Sequence, residues 1–260
     1  MAASVPEGVA AWDAYAAAYQ ERMRLPTTVV SYGPDIPTEA ELHLLGDLNG
    51  KRVLDLGCGG GQAAIAFAKQ GARAIGVDFS AAQLGWARRL AEAEEVRVDL
   101  RQNDLAELAF VRADSLDLVF SAYVFHLVED LSRVFRQVHR VLKVGAPLVF
   151  SIPHPAYQML WADESAVEDE PDRGAPPALR RAYFDRSPFY RRREADGASL
   201  LLIEYPRTMA DIYVGLSRAS FRVDLMLEPP PVPGPHTELY SPAMAWVPRT
   251  LIVRARKEGS

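Results

Sequence analysis

Apolar positions change their spacing several times along the chain, and each change marks an element. Between Val9 and Arg24, Trp12, Tyr15 and Tyr19 recur at three- and four-residue intervals, the repeat of one helix face. A second helix is predicted over about 38–48, after Pro37. From Lys51 to Pro153, short apolar runs alternate with helical periodicity: strand 52–56, helix 61–70, strand 73–78, helix 80–93, strand 96–101, strand 116–121, helix 129–142 and strand 146–152. Leu116-Asp117-Leu118-Val119-Phe120 and Pro147-Leu148-Val149-Phe150 read as central strands covered on both faces. Repeated βα winding predicts a parallel sheet with right-handed crossovers.

The pattern breaks over 154–206, a segment rich in proline and charge but studded with Tyr157, Trp161, Tyr183, Phe184, Phe189 and Tyr190. So many aromatics argue against disorder, and the segment is expected to form a lid or substrate-binding cap over the carboxyl edge of the sheet. Helical spacing returns over 209–219, followed by strand 221–227, a proline-rich loop 229–242 and strand 246–255. Two strands with no helix between them predict an antiparallel pair at one sheet edge. The expected organisation is a single domain: a helical cap over 1–50, a cofactor-binding core over 51–153, the inserted cap over 154–206, and a closing helix and strand pair over 207–260. No internal repeat is visible.

Composition narrows the class. The 260 residues are 49% hydrophobic and 24% charged, enough for one large α/β core. A net charge of −5, with lysine and arginine dispersed, gives no broad basic face for nucleic acid. The run Arg191-Arg192-Arg193 is expected to be a solvated charge cluster, with contact to an anionic substrate as the lesser alternative. The lone Cys58 forms no internal disulfide and is expected to be a packed residue rather than a nucleophile. There is no basic-then-apolar leader and no apolar run of membrane-spanning length, so a cytoplasmic protein with no membrane partner is expected, as a monomer or homodimer. No H-x-x-x-H, C-x-x-C or clustered carboxylates are present, so no metal is expected.

The candidate chemistry begins at Val53–Gly61, a buried strand running into a glycine-rich turn and then a helix. Glycines there allow positive φ and close approach of a ligand to backbone N–H groups. Counted from Gly57, a dinucleotide fingerprint fails, because Gln62 stands where the last glycine belongs. Counted from Gly59, the set Gly59, Gly61 and Ala64 fits, which leaves a nicotinamide or flavin oxidoreductase open. Asp78, at the end of the second strand, can accept both hydroxyls of a ribose in either case. Asp55 can line the ligand site or cap the following helix.

Further motifs resemble the class I S-adenosylmethionine-dependent methyltransferases, especially their small-molecule, type 11 branch, over roughly Val53–Pro155. Val53–Gly61 is similar to the family's D-x-G-x-G-x-G motif, and Gln102–Phe110 to its adenine loop, with Asn103, Leu105 and Ala109 as departures. Ser115–Ala122 is similar to the fourth strand, and His139-Arg140-Val141-Leu142-Lys143-Val144-Gly145-Ala146 to the H-R-V-L-K-P-G-G turn. The resemblance implies a Rossmann-like, doubly wound seven-stranded sheet in the order 3-2-1-4-5-7-6, with strand 7 antiparallel. It implies S-adenosyl-L-methionine as cofactor and S-adenosyl-L-homocysteine as product.

By the same resemblance, Asp55, Gly57 and Gly59 meet the methionyl end of the cofactor and Asp78 the ribose. Phe79 and Leu105 sandwich the adenine, with Asn103 in its loop and Asp104 accepting from its amine. Ser121 and Ala122 face the methionyl group, and Tyr19, less surely Tyr15, closes from the N-terminal helix. Two histidines are candidate general bases: His126, after the fourth strand, and His154, at the end of the fifth. Tyr157 is a third candidate, and transfer driven by proximity alone needs no base. The expected function is methyl transfer to a nitrogen or oxygen, less readily a carbon, of a small organic acceptor. The alternatives are an NAD(P)-dependent oxidoreductase and a catalytically silent, cofactor-binding regulatory subunit.

Overall fold

The computed structural model describes residues 8–161, 176–195, 197–237 and 239–259. Its centre is a sheet of five parallel strands, β1 (Arg52–Leu56), β2 (Arg73–Asp78), β3 (Asp99–Gln102), β4 (Leu118–Ala122) and β5 (Pro147–Pro153). The antiparallel β9 (Thr250–Lys257) and β8 (Phe221–Leu227) complete one edge, in the order β3-β2-β1-β4-β5-β9-β8. This is the expected seven-strand order. The closing strand starts at Thr250 rather than 246, because 242–245 form a 3-10 turn.

Helices α3 (Gln62–Lys69), α4 (Ala81–Ala93), α5 (Leu131–Val141) and α7 (Met209–Arg218) cover the sheet. Helix α5 shows why they dock: Leu131, Val134, Phe135, Val138 and Val141 are buried at three- and four-residue spacing. The Asp130 side chain starts that helix by accepting the Arg133 N–H. Two apolar cores result, one centred on Leu54, Phe125, Phe135 and Phe150, the other on Val53, Phe67, Phe120 and Val149. Successive residues of β1 therefore feed opposite cores, as strands buried on both faces must.

The helix expected over 38–48 shortens to α2 (Glu39–Leu42). His43 turns left-handed at φ 51°, and the Glu39 carboxylate accepts the N–H groups of Leu44 and Leu45 at 2.9 and 2.8 Å. A side chain thus takes donors that a longer helix would have pointed at its own carbonyls.

The segment after β5 is more regular than its sequence suggests. A short helix, α6 (Pro155–Gln158), is followed by an antiparallel hairpin, β6 (Phe189–Ala195) with β7 (Ala198–Glu204). Helix α1 (Gly8–Met23) packs its Ala11 and Tyr15 against Ala195, Leu200 and Leu202 of this hairpin. It is also tied to α4, since Asp13 accepts the Ser80 hydroxyl at 2.5 Å and the Ala82 N–H at 3.1 Å. Helix and hairpin together roof the carboxyl ends of the strands. Part of the expected cap, 162–175, lies outside the described residues.

Candidate active site

Two adjoining cavities open at those strand ends. The first lies over β1, β2 and β4, and its wall includes Tyr19, Asp55, Gly57, Gly59, Asp78, Phe79, Leu105 and Ala122. Eight of the residues expected at the cofactor therefore converge from distant parts of the chain. At Gly57 the backbone has φ 79°, and a Cβ there would lie 2.5 Å from the Val124 side chain, so only glycine fits.

Both acids are held by backbone donors. Asp55 accepts the Ala64 N–H at 3.1 Å, inside the first turn of α3, so it caps that helix as well as lining the cavity. Asp78 accepts the Gly59 N–H and the Ser80 N–H, each at 2.9 Å. Burial pushes the Asp55 carboxyl up to about 7, with Asp78 adding repulsion, and it raises Asp78 as well. No lysine or arginine is among the described residues that line this cavity.

A pocket with two buried carboxyl groups and no lysine or arginine in its described wall suits a positively charged ligand. This fits S-adenosylmethionine, with its sulfonium and ammonium, better than a dinucleotide. Cys58 is packed, its sulfur 3.0 Å from where a Cβ on Gly76 would sit, and burial raises its thiol well above the usual range.

Three expected cofactor contacts are directed elsewhere. Ser121 is fully buried and its hydroxyl donates to the Leu56 carbonyl at 2.7 Å, which binds β4 to β1. Asp104 accepts the Ala106 N–H at 2.7 Å, and Asn103 donates to the Glu107 carbonyl at 2.5 Å. Both shape the loop after β3 from within, and neither side chain lines the cavity.

The second cavity, about 320 Å³, lies under α1 and the hairpin. Tyr19 and Tyr123 line both cavities and form the wall between them. His126 faces this space, with its Nδ1 buried and without a hydrogen-bond partner among the described residues. Burial first, then Arg207, Arg191 and Arg193, lower its pKa to about 3, so the imidazole is neutral.

His154 is not at the site. Its Nδ1 accepts the Ala156 N–H at 3.0 Å, capping α6, and its Nε2 meets Glu228 at 2.8 Å. Neither cavity wall includes it, and its position after β5 serves to start the next turn. Tyr157, the third candidate base, is fully buried against Trp161 with ring centroids 5.8 Å apart, and it too lines neither cavity.

Several lining residues had no signal in the sequence. Gln20 donates to Gln83 at 2.7 Å and accepts from Gln62 at 2.5 Å, closing α1 over the glycine turn. A Cβ at Gly60 would meet Gln20 at 2.5 Å, so that turn is shaped around the glutamine. Tyr123 adopts φ 56°, unusual for a bulky residue, and its hydroxyl shares a 2.5 Å hydrogen bond with Thr250. Arg191, expected in solvent, is 4% exposed beneath the hairpin.

Residues 54–150 match the methyltransferase domain family, and the sheet order, the glycine turn and the paired acids agree with the fold of class I S-adenosylmethionine-dependent methyltransferases. A ubiquinone biosynthesis O-methyltransferase of Hahella chejuensis is 41% identical over 104 residues, 40% of this chain and 44% of that one. The chain thus spans less than half the length of that relative. An uncharacterized protein of Haemophilus influenzae is 27% identical over 238 residues, 90% of this chain and 92% of its own. The solved structure of an S-adenosylmethionine-dependent methyltransferase from Mesorhizobium loti superposes with a TM-score of 0.66 at 28% identity, covering 84% of this chain and 96% of that one.

Proposed function

We propose that the protein transfers a methyl group from S-adenosylmethionine to an oxygen or nitrogen of a small organic acceptor. The observation that carries this reading is the pairing of buried Asp55 and Asp78 in a cavity with no lining cation among the described residues. When bound, the cofactor supplies an electrophilic methyl group on a sulfonium. Asp78 takes the ribose hydroxyls with the lone pairs its backbone donors leave, and Asp55 draws the ammonium end toward the glycine turn. Phe79 and Leu105 bracket the adenine, while Ala122 offers its backbone beside the methionyl chain.

The chain's further contribution is position. Tyr19 and Tyr123, shared by both cavities, exclude water where an acceptor meets the donor, and alignment in such a space supplies much of the acceleration. His126, neutral, orients the acceptor through a hydrogen bond and does not store a proton before transfer. The name of the Hahella relative favours oxygen as the first acceptor atom to try.

Incubation of the protein with methyl-labelled S-adenosylmethionine and fractionated small-molecule extracts tests the proposal. Label appearing in an extracted metabolite only with active protein supports it. Tight S-adenosylhomocysteine binding with no transfer across all fractions would point to the silent regulatory subunit.

A further inference from the structure

Gln83 lines the first cavity from the opening turn of α4 and is 2% exposed. Its Oε1 accepts from the Gln20 Nε2 at 2.7 Å, and its backbone N–H donates to the Ser80 hydroxyl at 3.1 Å. Among the described residues nothing accepts from its own Nε2. Its amide hydrogens are therefore left in a buried setting, where an unmade hydrogen bond is costly. The other buried residues of α4, Leu84, Ala87 and Ala91, are apolar, so packing alone does not call for an amide there.

The turn that places Gln83 also places Asp78. The Ser80 N–H donates to Asp78 at 2.9 Å while the Ser80 hydroxyl accepts from Gln83, so carboxylate and amide are set together at the start of α4. Both also meet the glycine turn: Asp78 accepts the Gly59 N–H at 2.9 Å, and the Gln83 Oε1 stands 3.7 Å from where a Cβ on Gly59 would sit. The Gln62 Nε2 donates to the Gln20 Oε1 at 2.5 Å, and Gln20 turns its own Nε2 to Gln83. The three amides thus run in one direction, from α3 through α1 to α4, and leave nitrogen rather than oxygen free at the cavity. An ionised carboxylate only accepts and an amide nitrogen only donates, whereas a hydroxyl does both. A ribose hydroxyl can therefore give its hydrogen to Asp78 and keep a lone pair for Gln83.

We propose that Gln83 is a cofactor-binding residue whose Nε2 donates to a ribose hydroxyl held by Asp78, with Gln20 as the positioning residue that turns the amide toward it. The ribose is then recognised by an acceptor and a donor from one turn, and α1, which carries Gln20, is tied to the same contact. This assignment rests on the S-adenosylmethionine reading above.

The test is calorimetry on the full chain with S-adenosylhomocysteine and with methylthioadenosine, which keeps the ribose and lacks the amino-acid end. Gln83→Met is expected to weaken both ligands about tenfold, as the loss of one buried hydrogen bond predicts. Gln20→Met should weaken both by less, and should add nothing further in a Gln83→Met background, because it acts through the same amide. A loss confined to S-adenosylhomocysteine overturns the proposal, since the amide would then serve the amino-acid end. Unchanged binding of both ligands by folded Gln83→Met overturns it as well, and so does a Gln20→Met loss that adds in full to that of Gln83→Met. If the wild type binds neither ligand, the donor reading itself falls, and the assignment with it. Should Gln83→Met not fold, Gln83→Glu in alkaline buffer decides: it keeps an acceptor for Gln20 and removes the donor, so both ligands should again weaken together.

Discussion

Asp78 accepts the N–H of Gly59 at 2.9 Å, which ties the end of β2 to the glycine turn after β1 and fixes the carboxylate at the mouth of the first cavity. Two strands thereby set one binding surface before any ligand arrives. Preorganisation of this kind lowers the cost of ordering a cofactor.

The turn tolerates little change. Gly57→Ala would place a methyl 2.5 Å from Val124 at φ 79°, and the expected loss of stability is about 1–3 kcal/mol. S-adenosylhomocysteine binding should weaken as well. Adding Val124→Ala should recover part of both losses by relieving the clash while leaving the φ penalty. Denaturant titration of the single and double variants measures the recovery.

The unliganded protein should lose stability through Asp55 as pH rises. Its folded-state pKa of about 7 lies above the ordinary 3.8, so the folded chain holds a proton that the unfolded chain has released. The stabilising contribution is fully present below the lower value and is lost as pH climbs through the higher one. Asp55→Asn should flatten this component between those pH values, as should saturating S-adenosylmethionine, whose cation favours the carboxylate. Urea unfolding of the wild type and variant at matched pH tests the difference.

His126 should remain neutral well below pH 6.5, with a titration midpoint near 3 in nitrogen-correlated NMR spectra. Arg193→Met removes one of the charges that depress it, so its pKa should rise. It should stay below 6.5, because burial is the larger cause. A wild-type midpoint at 6 or above would remove the account of a neutral, orienting imidazole.

His154→Ala should destabilise without disabling the donor site. The variant loses the α6 cap and the Glu228 contact, together worth about 1–2 kcal/mol, while S-adenosylhomocysteine affinity stays unchanged. A large fall in methyl transfer by folded His154→Ala, measured with any accepted substrate, would restore this histidine to the chemistry.

The sheet was legible because its signals are local: apolar runs alternating with helical spacing, and a glycine turn that few other structures require. The residues expected at strand ends, such as Asp55, Asp78 and Phe79, are brought together around the first cavity, because each follows a local strand-to-turn signal. The polar atoms of Ser121 and Asp104 pair with neighbouring backbone groups, an outcome that sequence spacing does not encode. The β6–β7 hairpin was hidden because three consecutive arginines mask its period-two burial, although Arg191 is inside and Arg192 is less so. Gln20 and Tyr123 join the site only through tertiary contacts, and nothing in their own sequence neighbourhood marks them.

The most direct measurement of the central claim is calorimetric titration of the full chain with S-adenosylhomocysteine and, separately, with NADH, repeated on Asp78→Ala. The account predicts saturable one-to-one binding of S-adenosylhomocysteine, no binding of NADH, and a loss of affinity of roughly a hundredfold in the variant, as expected when a buried acceptor for two hydroxyls is removed. Binding of NADH with no affinity for S-adenosylhomocysteine would contradict it.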